Sequence, residues 1–158
     1  MLSYLIRLIL VFSVMAGCQT KAPEKEFSFK NREPIARKKA STSIDLESKG
    51  VGPITQVSLA PAIQIDLAKN GENIYQEKCT ACHKIGSTFI GPPPNGILDR
   101  RRPEWVMNMI MNPDKMIRED SLAKALFMEF NGQLMTNQQV SEKEARAILE
   151  YFRTLEKL

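Results

Sequence analysis

Four stretches of the chain carry apolar residues at helical spacing. Between Asp66 and Cys79, Leu67, Ile74 and Tyr75 fall on one face and predict an amphipathic helix. The segment PEWVMNMIMNP, from Pro103, predicts a short helix that ends before Pro113. A further helix is expected around Ser121 to Phe130. At the C-terminal end Ser141 and Glu144 form a capping-box pattern ahead of Ala145, Ile148, Leu149 and Phe152, which recur as a helical apolar stripe.

The N-terminal part reads differently. Arg7 precedes an apolar run from Leu8 to Ala16, and the small residues Ala16 and Gly17 lead into Cys18. This is the pattern of an export signal, too short beyond Arg7 for a comfortable membrane span. Its ending, Met-Ala-Gly-Cys, resembles the bacterial lipobox, which implies cleavage after residue 17 and lipidation of Cys18. Acyl chains hold a protein on a bilayer with about 0.8 kcal/mol per buried CH₂. Residues 18–50 are rich in Lys, Glu, Ser and Pro, too polar to offset the entropy of ordering, and are expected to form a flexible tether. As a random coil it would reach roughly 30 Å. Residues 51–65 are more apolar and are expected as an extended arm, leaving 66–158 as the folded domain.

Charge changes the picture little. The net charge of +4 arises before Ala62: residues 19–61 hold eight Lys/Arg against five Asp/Glu, whereas residues 62–158 hold thirteen of each sign. A basic face on the domain is therefore not expected, and nucleic acid is excluded as a partner.

The sharpest chemical signal is Cys79-Thr80-Ala81-Cys82-His83, which contains the chain's one histidine and two of its three cysteines. Two thiols at this spacing, followed at once by His, form the attachment signature of c-type haem: each thiol makes a thioether to a vinyl group and the imidazole reaches the iron. A zinc site would need a fourth ligand that the chain does not readily supply. A thioredoxin-like dithiol would need a strand before the motif, where the pattern gives a helix.

With this motif, the turn GPPPNGILDR and the C-terminal helix, the region from about Asp66 to Leu158 resembles class I monohaem cytochrome c. The resemblance implies an all-α class I cytochrome c fold, with N- and C-terminal helices crossing over one covalent haem c. It implies that the Pro92 carbonyl accepts the hydrogen of the haem-binding His83, that Arg100 helps neutralise a haem propionate, and that Gly71 and Tyr75 face Ile148 and Tyr151. Pro94 departs from the family, which usually has Leu there. The second axial ligand is expected at Met135, on the loop before the C-terminal helix where the family places its methionine, although Thr136 stands where many relatives have Pro. Met107, Met109 and Met111 are read as packing residues, and Met128 as the lesser candidate.

An iron closed by His83 and Met135 favours electron transfer over ligand chemistry, and no catalytic constellation is visible, so no enzyme is expected. The expectation is a monomeric electron carrier, lipid-anchored in the bacterial cell envelope with its domain on the periplasmic side. Its expected partners are a respiratory reductase or oxidase and a quinol-oxidising complex. The whole arrangement resembles lipoprotein cytochromes that accompany respiratory reductases such as nitrous oxide reductase. The alternative is a haem-based sensor or gas-binding cytochrome with an open sixth position.

Overall fold

In the computed structural model the described residues are 39–155, all within one compact unit, Arg37–Leu158. The expected signal peptide, Cys18 and the tether up to residue 38 lie outside them. The described residues form five α-helices and no strands.

Helix α1 (Ile65–Lys78) buries Ala68, Gly71 and Tyr75, one stripe at spacings of three and four, and carries Asp66 in its first turn and Lys78 in its last, matching the helix dipole. Helix α5 (Glu142–Phe152) begins at the expected capping box, with Ser141 and Glu144 bonded reciprocally. These two helices make the closest crossing in the fold. A Cβ placed on Gly71 would lie 1.9 Å from the Ala147 carbonyl oxygen, so backbone meets backbone there and only glycine fits. One turn on, the Tyr75 ring packs 5.5 Å from Tyr151 and edge-on to Phe152 at 5.7 Å. The expected facing of Gly71 and Tyr75 on Ile148 and Tyr151 is thus observed.

Helix α2 (Pro103–Met111) is followed by α3 (Pro113–Glu119) and α4 (Ser121–Glu129). The sequence pattern predicts α2 and α4 but not α3. Two polar residues create the corners. Asn112 ends α2 and its side chain accepts from Lys115 N, starting α3 with Pro113 in its first turn, while Asp120 ends α3 and accepts from Ala123 N to start α4. Asp120 also accepts from the Trp105 indole N–H, which ties α4 to α2.

The segment before α1 corrects the expected domain limits. Residues 39–50, expected as the end of the tether, pack on the helical domain, and the arm that follows continues the same path. Ala40 and Ile54 are buried, and Val51, Val57 and Leu59 pack against the core. Apart from a single bridge between Asp45 and Arg101 this strap has no helix or strand, so its backbone groups are met from the domain, mostly by side chains. Glu129 accepts from Ser41 N, Arg100 O from Asp45 N, Asn108 bonds both N and O of Ile54, Glu104 accepts from Val57 N, and Glu150 from Gln64 N. Polar composition suggested a free coil because the partners lie far away in sequence.

Candidate functional site

The attachment motif sits at the C-terminal end of α1, where the helix unwinds. Cys79 N still bonds Tyr75 O, and both Cys82 N and His83 N return to Cys79 O at 3.0 and 2.9 Å. This tight turn keeps the two thiols and the imidazole together, and all three line one apolar cleft. Burial first, and the neighbouring Cys82 after it, outweigh Lys78 and push the Cys79 thiol up to about 11.

His83 is oriented from two sides. Its Nδ1 lies 2.8 Å from the Pro92 carbonyl oxygen, the contact expected from the sequence, which leaves Nε2 for a metal. Gly91 lies flat against the ring, since a Cβ there would come within 2.4 Å of His83 Cε1. The loop that brings Gly91 and Pro92 back is pinned by Gly91 N to Cys82 O at 2.9 Å and by Gly86 N to the buried Asn95 side chain at 2.7 Å. Gly86 has a φ of 77°, the left-handed conformation this reversal needs. Pro94 is buried and lines the cleft in place of the family's usual Leu.

Of the methionines among the described residues, Met109 and Met135 line the cleft. Met107 and Met116 are in the core, with Met116 Sδ accepting from Val51 N, and Met128 is 67% exposed. Met109, on α2, was read from sequence as a packing residue; the fold adds that it faces the same space as His83. Met135 stands on a stretch bounded by Asn131 and Gln139, both in the left-handed region at φ 56° and 53°.

Arg100 also lines the cleft. Its two terminal nitrogens donate to Asn95 O at 3.1 Å each, and its Nε is buried without a partner. Burial lowers its pKa, opposed by Asp99. Arg101, which the sequence reading passed over, lines the cleft beside it, with Nε similarly orphaned. The signal available was a run of three arginines, Arg100 to Arg102, directly after the turn GPPPNGILD. Trp105 lines the cleft too, but its N–H is committed to Asp120.

The cleft thus offers two thiols and an imidazole from one turn, thioether sulfurs from α2 and the 131–139 loop, apolar walls that include Ile97, Val106, Ile110, Phe127 and Ile148, and two buried donors on cationic side chains. This donor set fits a covalently attached haem: thiols for its vinyl groups, nitrogen and sulfur for its iron, apolar walls for its faces and unsatisfied N–H groups for its carboxylates.

A family model described as Cytochrome c matches residues 68–156. Among solved structures, the chain is similar to a cytochrome c from Rhodothermus marinus, at 44% identity and a TM-score of 0.63, over 65% of this chain and 87% of that one. It is also similar to an engineered cytochrome c from the same organism, Rma TDE, at 43% identity and a TM-score of 0.62, over 65% of this chain and 88% of that one. Among curated protein sequences none matches the chain.

Proposed function

The chain belongs to the cytochrome c family, and from that premise we propose that it is a one-electron carrier of the bacterial cell envelope whose haem iron is held by His83 and Met135. Members of this family carry electrons on a covalent haem c and are not enzymes, and Cys79 and Cys82 stand at the attachment positions. When bound, the haem supplies the one-electron couple.

Met135 and Met109 both line the cleft with His83 while Met128 stands exposed outside it, and what favours Met135 of the two is its place on the loop before α5, where the family carries its methionine ligand. The Pro92 carbonyl fixes the His83 ring through Nδ1 and raises the donor strength of Nε2. A thioether as second ligand favours the reduced state and closes the metal to small molecules, which suits electron transfer. Apolar walls keep water from the cleft and raise the cost of the extra charge in the oxidised form.

Cys18 is the proposed lipid attachment point and would hold the domain on the periplasmic side. There a respiratory reductase or oxidase, or a quinol-oxidising complex, is the proposed partner. No helix among the described residues is long and apolar enough to cross a membrane.

The deciding experiment is spectroscopy of the haem-loaded protein. Wild type should be low spin in the ferric state with a sulfur-to-iron charge-transfer band, and Met135→Ala should lose the band and lower the midpoint potential. Met128→Ala should change neither. A high-spin wild type would overturn the His/Met assignment, and a band that persists in Met135→Ala would move the role to Met109. For the anchor, fatty-acid labelling of the chain expressed with its own leader should disappear in Cys18→Ser.

A further inference from the structure

Arg101 is 1% exposed, yet no carboxylate forms an ion pair with it among the described residues. Its Nη1 donates to the carbonyls of Ser43 and Arg100, and its Nη2 to the Ala40 carbonyl and, at 3.4 Å, to the Ser43 hydroxyl. Neutral oxygens fix its position, and no carboxylate is bonded to it. Burial and the adjacent Arg100 both act against that charge, and Asp45 and Asp120 favour it only through space. Arg100 next to it is also bonded only to a carbonyl, and both residues keep a buried Nε–H with no acceptor.

Two neighbouring cations, each with an orphaned buried donor and both lining the cleft, make an unfavourable arrangement unless an anion completes it. The haem of this family carries two carboxylates on one edge. Arg100 was expected to meet one of them; the second guanidinium has the same unmet need.

The other side of Arg101 is occupied by the beginning of the strap. The carbonyls it binds, those of Ala40 and Ser43, flank Ser41, which itself lines the cleft and donates through both N–H and hydroxyl to Glu129. Asp45 N bonds the Arg100 carbonyl at 2.9 Å, extending the attachment. The guanidinium also lies over the Trp105 ring, 5.5 Å from its centroid, a cation–π contact that adds to its fixation.

We propose that Arg101 is a two-sided positioning residue: it meets a haem carboxylate in the cleft and fastens residues 40–45 of the strap beside it, so that strap closure and the electrostatics of the haem are coupled. The inference rests on the covalent haem and not on the assignment of Met135, so it stands or falls separately from the axial ligand.

The test uses the full haem-loaded chain and two readouts, the midpoint potential and amide exchange at Ser43 and Asp45. Arg101→Gln should lower the potential, because a cation beside the haem favours the electron-rich ferrous state, and should accelerate exchange at both amides at least tenfold. Arg101→Lys, which keeps the charge but not the fork, should retain more of the potential than Arg101→Gln while still loosening the strap. A change in only one readout for Arg101→Gln overturns the proposal. Should that variant fail to fold, Ser41→Pro decides: it removes both donors to Glu129 without altering charge. Faster exchange with a lowered potential supports the coupling, and faster exchange at an unchanged potential refutes it.

Discussion

The Tyr75 hydroxyl donates to the main-chain carbonyl of His83 at 2.9 Å. Tyr75 is 1% exposed and belongs to the α1–α5 crossing, so this bond joins the packing of the two terminal helices to the turn that carries the haem-binding histidine. Burial, with Cys79 and Tyr151 adding to it, raises the phenol pKa well above its ordinary value, so the group stays a donor throughout the accessible pH range. Tyr75→Phe keeps the ring packing but leaves the carbonyl without this donor. It should destabilise the haem-loaded protein by about 1–2 kcal/mol, measured by denaturant unfolding, with haem content unchanged.

Gly71→Ala should be among the most damaging single changes. The new methyl would meet the Ala147 carbonyl, a backbone atom that cannot rotate away. Separation of α1 from α5 should cost about 3 kcal/mol or more, visible as a fall in the unfolding midpoint or as loss of folded protein. A circular dichroism melt superimposable on wild type would contradict the crossing described above.

Glu150 is fully buried and accepts from Arg146 and Arg153 at 2.6 Å each and from Gln64 N at 2.9 Å. Burial works to raise its pKa, but the Gln64 N–H and the two guanidiniums overcome this and hold it below the usual carboxylate range. Because Arg153 also binds the Ala60 and Pro61 carbonyls, this carboxylate organises the junction of strap, α1 and α5. Glu150→Ala should therefore cost about 3–5 kcal/mol, and faster proteolysis within residues 58–64 should accompany the loss.

The α5 cap makes an acid-sensitive contribution. Bonds from Ser141 N–H, then Lys78, lower the Glu144 pKa from 4.5 to about 2. A carboxylate whose pKa is depressed by folding contributes stability above its unfolded value, and that contribution is lost as pH falls through the folded one. It should thus be fully present above about 4.5 and disappear toward about 2. Glu144→Gln should flatten the stability-versus-pH curve across this window, and equal slopes in the two proteins would refute the assignment.

Covalent attachment gives the most direct chemical check. Protein made with haem-maturation machinery should retain haem after denaturation and acid-acetone extraction, and its mass should exceed the mature chain by one haem. Substituting both Cys79 and Cys82 should leave a chain without covalent haem and with poor folding. The cleft between α1, α2, α4 and α5 would then lack the group its apolar walls surround.

The local sequence determined the attachment motif, α1, α2, α4, and the capping box of α5, because each depends on neighbours within a few residues or on a period of 3.6, whereas the Pro92 carbonyl opposite His83 was implied by the family resemblance. Helix α3 escaped the pattern because its start is made by the Asn112 side chain and its length is under two full turns. Only tertiary structure decided which methionines reach the cleft: Met109 and Met135 do, Met116 goes to the core and Met128 to solvent, a sorting set by helix rotation and loop path. Tertiary structure also turned residues 39–50, expected as the end of a flexible tether, into a packed strap that continues through the expected arm. Arg101, Glu104, Asn108 and Glu150 satisfy backbone groups there from 47 to 86 positions away, a pairing invisible to local composition. Buried polar residues in the helical domain look like liabilities until the strap laid across them supplies their partners.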